Sequence, residues 1–143
     1  METAILLVED NPMDVDLTVR AFKRKDVTHP IVVARDGEEA LAWIPRWEAG
    51  ERPPSLILLD LKLPKVDGLE VLRRLKAHPR FCTIPVVVLT TSAEDGDVKA
   101  AYELGVNSYI VKPVSFDHFA RITAQIDRYW TRLNHAPDLG LVR

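Results

Sequence analysis

Cysteine is nearly absent from this chain. A single Cys82 in 143 residues excludes an internal disulfide framework and fits a reducing compartment. The four histidines, His29, His78, His118 and His135, show no mutual ligand spacing and read as surface residues. Without a His and Cys set, zinc has no ligands here. No apolar run approaches the roughly 20 residues of a membrane-spanning helix. The chain enters an apolar run directly after Met1-Glu2-Thr3, which leaves no room for a secretory signal. Internal repeats and low-complexity stretches are missing, as are both phosphate-cradling glycine loops, G-x-x-x-x-G-K-[ST] and G-x-G-x-x-G. A net charge of −2, with Lys and Arg scattered rather than striped, argues against a nucleic-acid surface. The expectation is a cytoplasmic domain whose partners include neither nucleic acid nor membrane.

What the chain does have is five short apolar runs alternating with helical patterns. The strands are expected over 4–8, 30–34, 55–60, 84–89 and 108–111. Their Val and Ile content and their length separate them from buried helix pieces. The first helix is expected from Pro12, capped by Asn11, with Val15, Val19 and Phe22 inward. The second follows Asp36-Gly37, and Pro45 is expected to end or kink it, because proline lacks the amide donor. The third covers 69–77 with Leu72 and Leu75 inward, and the fourth covers 95–104, ended by Gly105. The fifth follows Ser115 and runs to about Asn134, with Phe119, Ile122, Ile126 and Leu133 as its apolar stripe. Alternation of this kind implies right-handed βαβ crossovers, a parallel sheet and helices on both faces. The domain is expected over 3–134, with 135–143 as a flexible tail.

Polar residues fall at the carboxyl ends of four of these strands. Glu9-Asp10 follows the first, Asp60 ends the third, Thr90-Thr91-Ser92 follows the fourth and Lys112-Pro113 follows the fifth. In a parallel sheet these tips share one edge, where open α/β sheets bind ligands. Three carboxylates gathered there repel one another and need a cation, and oxygen-only ligands suit Mg²⁺. A carboxylate can attack phosphorus and form an acyl phosphate, with a lysine and a hydroxyl neutralising the transferred group. Each piece alone has a plainer reading. Glu9-Asp10 is an ordinary acidic helix start, Asp60 a cap or surface ion-pair partner, Thr90 a turn residue, Lys112 an exposed lysine and Tyr109 a packing aromatic.

Taken together, Leu6-Leu7-Val8-Glu9-Asp10-Asn11, Leu58-Leu59-Asp60-Leu61-Lys62-Leu63-Pro64, Asp67-Gly68, Val88-Leu89-Thr90 and Lys112-Pro113 resemble the receiver domain of two-component response regulators. The resemblance implies a flavodoxin-like (βα)5 domain with strand order 2-1-3-4-5. It implies Asp60 as phosphoacceptor, Asp10 as direct Mg²⁺ ligand, Glu9 supporting the metal through water, and the Lys62 backbone carbonyl as a further ligand. Thr90 is then the switch hydroxyl, Tyr109 the switch aromatic and Lys112 the phosphoryl-pairing cation, followed by a cis peptide bond to Pro113. The Lys62 and Ser92 side chains would tune dephosphorylation, and Thr91, bulkier than the residue often found there, would restrict access. The stretch 60–68, the run Ile84-Pro85-Val86-Val87-Val88-Leu89-Thr90-Thr91-Ser92 and Tyr102-Glu103-Leu104 more closely resemble single-domain regulators that partner bacterial and cyanobacterial phytochromes. A sensor histidine kinase of that type and a downstream protein are the implied partners, with no attached output domain and no catalytic turnover. Trp43 and Trp47 either pack the second helix or face a partner. Tyr129, Trp130 and Leu133 either cap their own core or, together with the fourth helix and fifth strand, form a homodimer. A rival from another class is an Mg²⁺-dependent aspartyl-phosphate phosphatase. Lys62 stands against it, because such enzymes usually place a second acid two residues after the nucleophile. A third reading is a receiver-like module that only binds partners.

Overall fold

The computed structural model describes residues 3–23, 29–137 and 139. Five strands, β1 (Ile5–Val8), β2 (Ile31–Ala34), β3 (Leu56–Leu59), β4 (Val86–Thr90) and β5 (Ser108–Val111), form one sheet of order β2-β1-β3-β4-β5. Every neighbouring pair is parallel, with β1 and β3 in register from Ile5↔Leu56 to Val8↔Leu59. This is the flavodoxin-like architecture, and the strand order, that the resemblance to receiver domains implies.

Successive side chains of a strand point to opposite faces, and the two apolar cores follow that alternation. Leu6, Val8, Ile57, Leu59, Val86 and Val88 face one cluster with Trp47, Leu72, Leu75 and Phe81. Ile5, Leu7, Leu56, Leu58 and Val87 face the other, with Val15, Phe22 and Ile126. The helices α2 (Gly37–Leu41), α3 (Trp43–Glu48), α4 (Gly68–Ala77) and α5 (Asp95–Glu103) accordingly cover the first face, and α1 (Pro12–Lys23) and α6 (Phe116–Asp127) the second. Both faces of the central strands are buried, which is why they read as continuous apolar runs.

Pro45 does not interrupt a helix at its own position. The break comes at Ala42, and Pro45 lies in the first turn of α3, where its missing amide would have had no helical partner. Trp47 is 2% exposed and meets Phe81 edge-on at 5.4 Å, so it is a core residue, while Trp43 is partly buried under the Arg46 guanidinium at 3.9 Å. His78 is not a surface residue. It stacks on Phe81 at 4.3 Å, faces Glu48 through Nε2 at 2.9 Å, and accepts the amides of Arg80 and Phe81 at Nδ1.

After α6 the chain continues as a π-helical turn, Arg128–Leu133. The wider turn slips the 3.6-residue period. Trp130 therefore stays against the second core, while Leu133, expected in the stripe, is 65% exposed. Leu139 packs against the first core; residues 138 and 140–143 of the expected tail lie outside the described residues. On α4, the Lys76 ammonium reaches the carbonyls of Cys82 and Ile84 and the Asn107 amide oxygen, at 2.9, 3.1 and 2.8 Å. Asn107 also accepts the Val86 amide, so one cage ties α4 to the starts of β4 and β5. No helix of the described residues is long and apolar enough to cross a membrane.

Candidate functional site

The β1–α1 turn sets the first corner of the site. The Glu9 amide completes the ladder to Ala34 of β2, and its Oε2 accepts the Asn11 amide at 3.1 Å. Asn11 caps α1 as expected, its Oδ1 accepting the amides of Met13 and Asp14 at 2.9 and 3.2 Å. Glu9 is thus carried inward, 3% exposed, and Asp10 outward. Asp60 follows β3 directly and is 8% exposed. Carboxylate oxygens of Glu9, Asp10 and Asp60 all lie within 4.8 Å of one another. Acids from two separate strand ends therefore converge. The all-oxygen donor set fits a hard divalent cation such as Mg²⁺ or Mn²⁺ rather than a thiophilic metal.

The cation that the structure itself supplies is Lys112. Its Nζ lies 2.5 Å from Glu9 Oε1, 2.9 Å from Asp14 Oδ2 and 3.3 Å from Asp60 Oδ2, with its side chain 6% exposed. Burial alone would lower the Lys112 ammonium, but the hydrogen bonds to Glu9 and Asp14 and the Asp60 charge outweigh it and push it above its ordinary value. Glu9 moves the other way from most paired acids. Burial pushes it up to about 7, aided by the Asp60 charge, against the Lys112 hydrogen bond. Asp14, in the first turn of α1, went unnoticed in the sequence, where it looks like any acid at a helix start.

Thr90 ends β4 with no exposure, and its Oγ1 accepts the Ser92 amide at 3.4 Å. The Ser92 carbonyl in turn accepts the Tyr109 hydroxyl at 2.8 Å, and its Oγ donates to Asp97 Oδ2 at 2.6 Å. Lys62 is exposed; its ammonium reaches the same Asp97 oxygen at 3.4 Å, and its amide lies 3.4 Å from Asp60 Oδ1. The Ser92 hydrogen bond and then the Lys62 charge hold Asp97 below the usual carboxylate range. A chain of contacts thus joins Thr90 to Tyr109 and α5 through the Ser92 peptide. Thr91 is exposed. The expected cis bond after Lys112 is not found. Among the described residues every peptide is trans, the lower-energy isomer even before proline.

The loop after β3 is tightly built. Val66 donates to Pro64 at 2.8 Å around Lys65, which has φ +67°. Gly37 and Gly68 allow close backbone approach on either side. A Cβ at Gly37 would lie 1.9 Å from the Val66 carbonyl oxygen, and one at Gly68 2.4 Å from that of Asp60. Elsewhere, a groove of about 430 Å³ runs between β5 and the end of α6, lined by residues including Ile110, Ile122, Ile126, Tyr129 and Trp130.

A parallel 2-1-3-4-5 sheet whose strand ends gather acids, a buried threonine and a lysine defines the receiver class. The chain belongs to the response regulator receiver domain family, which matches residues 5–124. It is 48% identical over 134 residues to "Probable methanogenesis regulatory protein FilR2" of Methanothrix harundinacea, covering 93% of this chain and 86% of that protein. Response regulator Rcp1 of Synechocystis is 43% identical over 129 residues, covering 88% and 87%. Its Mn²⁺-bound crystal structure superposes with a TM-score of 0.87 at 40% identity, covering 95% of this chain and 99% of that one. The phosphorylated cyanobacterial phytochrome response regulator RcpA superposes with a TM-score of 0.90 at 40% identity, covering 96% and 100%. The chain is therefore a receiver-domain response regulator related to phytochrome regulators.

Proposed function

We propose that this receiver accepts a phosphoryl group on Asp60 from the phosphohistidine of a sensor histidine kinase, and that the kinase is of the phytochrome type. The observation that carries the reading is the meeting of Glu9, Asp10, Asp60 and Lys112 at one edge of the sheet. Two relatives support separate parts of the reading: RcpA is a phosphorylated phytochrome response regulator, and Rcp1 has a Mn²⁺-bound form.

In the proposed reaction an Asp60 carboxylate oxygen attacks phosphorus as the P–N bond breaks. The histidine nitrogen leaves with the bonding pair and takes a proton. A Mg²⁺ ion held by Asp10, Asp60 and the Lys62 carbonyl, with Glu9 behind it, would neutralise charge on the transferring group. Lys112, kept cationic by its acid partners, pairs with the phosphoryl oxygens. Thr90 donates to them and leaves the Ser92 amide, and that movement passes through the Ser92 carbonyl to Tyr109. The Lys62–Asp97–Ser92 contacts border the route by which water reaches the acyl phosphate, and so bear on its lifetime. The output is a binding change around α5 and β5, read by a downstream protein. Exposed Tyr102, Val111, Tyr129 and Leu133 suit that role or a homodimer. The working unit is 3–134, and its place is the cytoplasm.

The test is labelling by a small phosphodonor with Mg²⁺. Wild type takes up close to one phosphoryl group per chain, acid-stable and hydroxylamine-labile, and Asp60→Asn takes up none. Labelling that persists in Asp60→Asn, or rapid multiple turnover of a phosphate ester, refutes the reading.

A further inference from the structure

The Lys112 ammonium has three N–H donors, and three carboxylates engage them: Glu9, Asp14 and Asp60. A group added to Asp60 can take over only the donor that Asp60 holds, at 3.3 Å the longest of the three. To move fully onto the phosphoryl oxygens, Lys112 must also let Glu9 or Asp14 go. Glu9 is 3% exposed and its other oxygen already accepts the Asn11 amide, so once released it has no water to turn to. Asp14 is different. Its side chain is 27% exposed, it lies in the first turn of α1, and a free carboxylate there is stabilised by water and by the helix N-terminus. Its backbone meanwhile stays fixed, the amide held by Asn11 and the carbonyl accepting the Thr18 hydroxyl at 2.8 Å. Only the side chain has to turn.

We infer that Asp14 is a positioning residue that holds Lys112 in the resting state and competes with the phosphoryl group for it. The inference rests on the proposed phosphoryl transfer to Asp60. It sets the strength of the response from a residue that touches neither the phosphoryl group nor the three-acid cluster. Two consequences of opposite sign follow. Weakening the Asp14 contact frees Lys112 for an anion on Asp60, and removing its charge lowers the attraction of the site for a divalent cation.

The experiment measures binding of the phosphoryl mimic beryllofluoride at saturating Mg²⁺, and of Mg²⁺ alone, by titration calorimetry. Asp14→Asn keeps the shape of the side chain and still accepts from the Lys112 ammonium, but the contact loses the attraction between opposite charges. The expected result is roughly three- to ten-fold tighter beryllofluoride binding and two- to five-fold weaker Mg²⁺ binding, about one kcal/mol in the first case. Asp14→Glu, which keeps the charge, restores both affinities toward wild type. Asp16→Asn removes the same charge from the same helix, where Asp16 faces Arg20 at 3.1 Å, and leaves beryllofluoride affinity unchanged. Asp14→Asn binding the mimic no tighter than wild type overturns the inference, as does an equal gain in Asp16→Asn. Failure of wild type to bind beryllofluoride at all points instead to failure of the Asp60 reading.

Discussion

Replacing Lys112 by methionine removes the one ammonium among Glu9, Asp14 and Asp60 and keeps most of the stem's bulk. Taking one partner out of a buried ion cluster costs about 3–5 kcal/mol, because the carboxylates left behind are desolvated and unpaired. Protonation limits that loss. Burial already pushes Glu9 up to about 7 with Lys112 in place, and without the Lys112 hydrogen bond it rises further. Below pH 7 Glu9 holds a proton in both proteins, so its share of the loss is largely absent. Above pH 7 wild type gives the proton up and the variant keeps it. The difference then grows by about 1.4 kcal/mol per pH unit until the variant also ionises. The expected loss is about 3–5 kcal/mol at pH 8.5 and about 2 kcal/mol less at pH 6. Urea unfolding of both proteins with chelator at the two pH values measures it. The sign for wild type alone is also fixed. Folded Glu9 keeps a proton that the unfolded chain has lost above its ordinary 4.5, so its contribution to metal-free stability falls as pH rises from 4.5 to about 7. At pH 8.5, millimolar Mg²⁺ returns more stability to the variant than to wild type, since the ion then meets no competing ammonium. A pH-independent loss, or one below about 1 kcal/mol, refutes the view that Lys112 compensates buried acids.

Gly37→Ala forces a methyl group to within 1.9 Å of the Val66 carbonyl oxygen, backbone that can move only by opening the loop after β3. A loss of about 1–3 kcal/mol in chemical denaturation is expected, together with slower phosphoryl uptake in the proposed reaction at Asp60. Asp36 caps α2 by accepting the Glu39 amide at 2.7 Å, so Asp36→Ala costs about 1 kcal/mol and Asp36→Asn much less. Equal losses in those two variants assign the effect instead to the Asp36–Lys65 ion pair at 3.5 Å.

The sheet was legible because both faces of β1, β3 and β4 are covered, which leaves a run such as Leu56-Ile57-Leu58-Leu59 with no polar interruption. The convergence of the candidate site residues was legible for the same reason. A charge that closes such a run, as Asp60 does, has nowhere to go but the end of the sheet. Asp14 was hidden because its meaning lies in a lysine 98 positions away, while its local context is that of any acid at a helix start. His78 was hidden likewise, since its ring is fixed by Phe81 and Glu48 rather than by neighbours that a motif would register. The position of the break before Pro45 follows from which carbonyl the ring would strike, four residues back at Leu41. Proline content announces a break but not its place. The π-helical turn after Asp127 has no compositional mark, and it moved Leu133 off a stripe that periodicity alone had drawn.

The Lys76 cage has a consequence for where movement is permitted. Its acceptors are uncharged carbonyl and amide dipoles, so neither added salt nor a change of pH across the neutral range loosens it in the way either would loosen an exchange of opposite charges. Asn107 stands one residue before β5, and Lys112 one residue after it. That short strand is therefore anchored at its foot by a fastening indifferent to the solution, and is followed by the residue whose partners are proposed to change. A displacement started at Lys112 would then meet its firmest resistance at Asn107, where the strand begins.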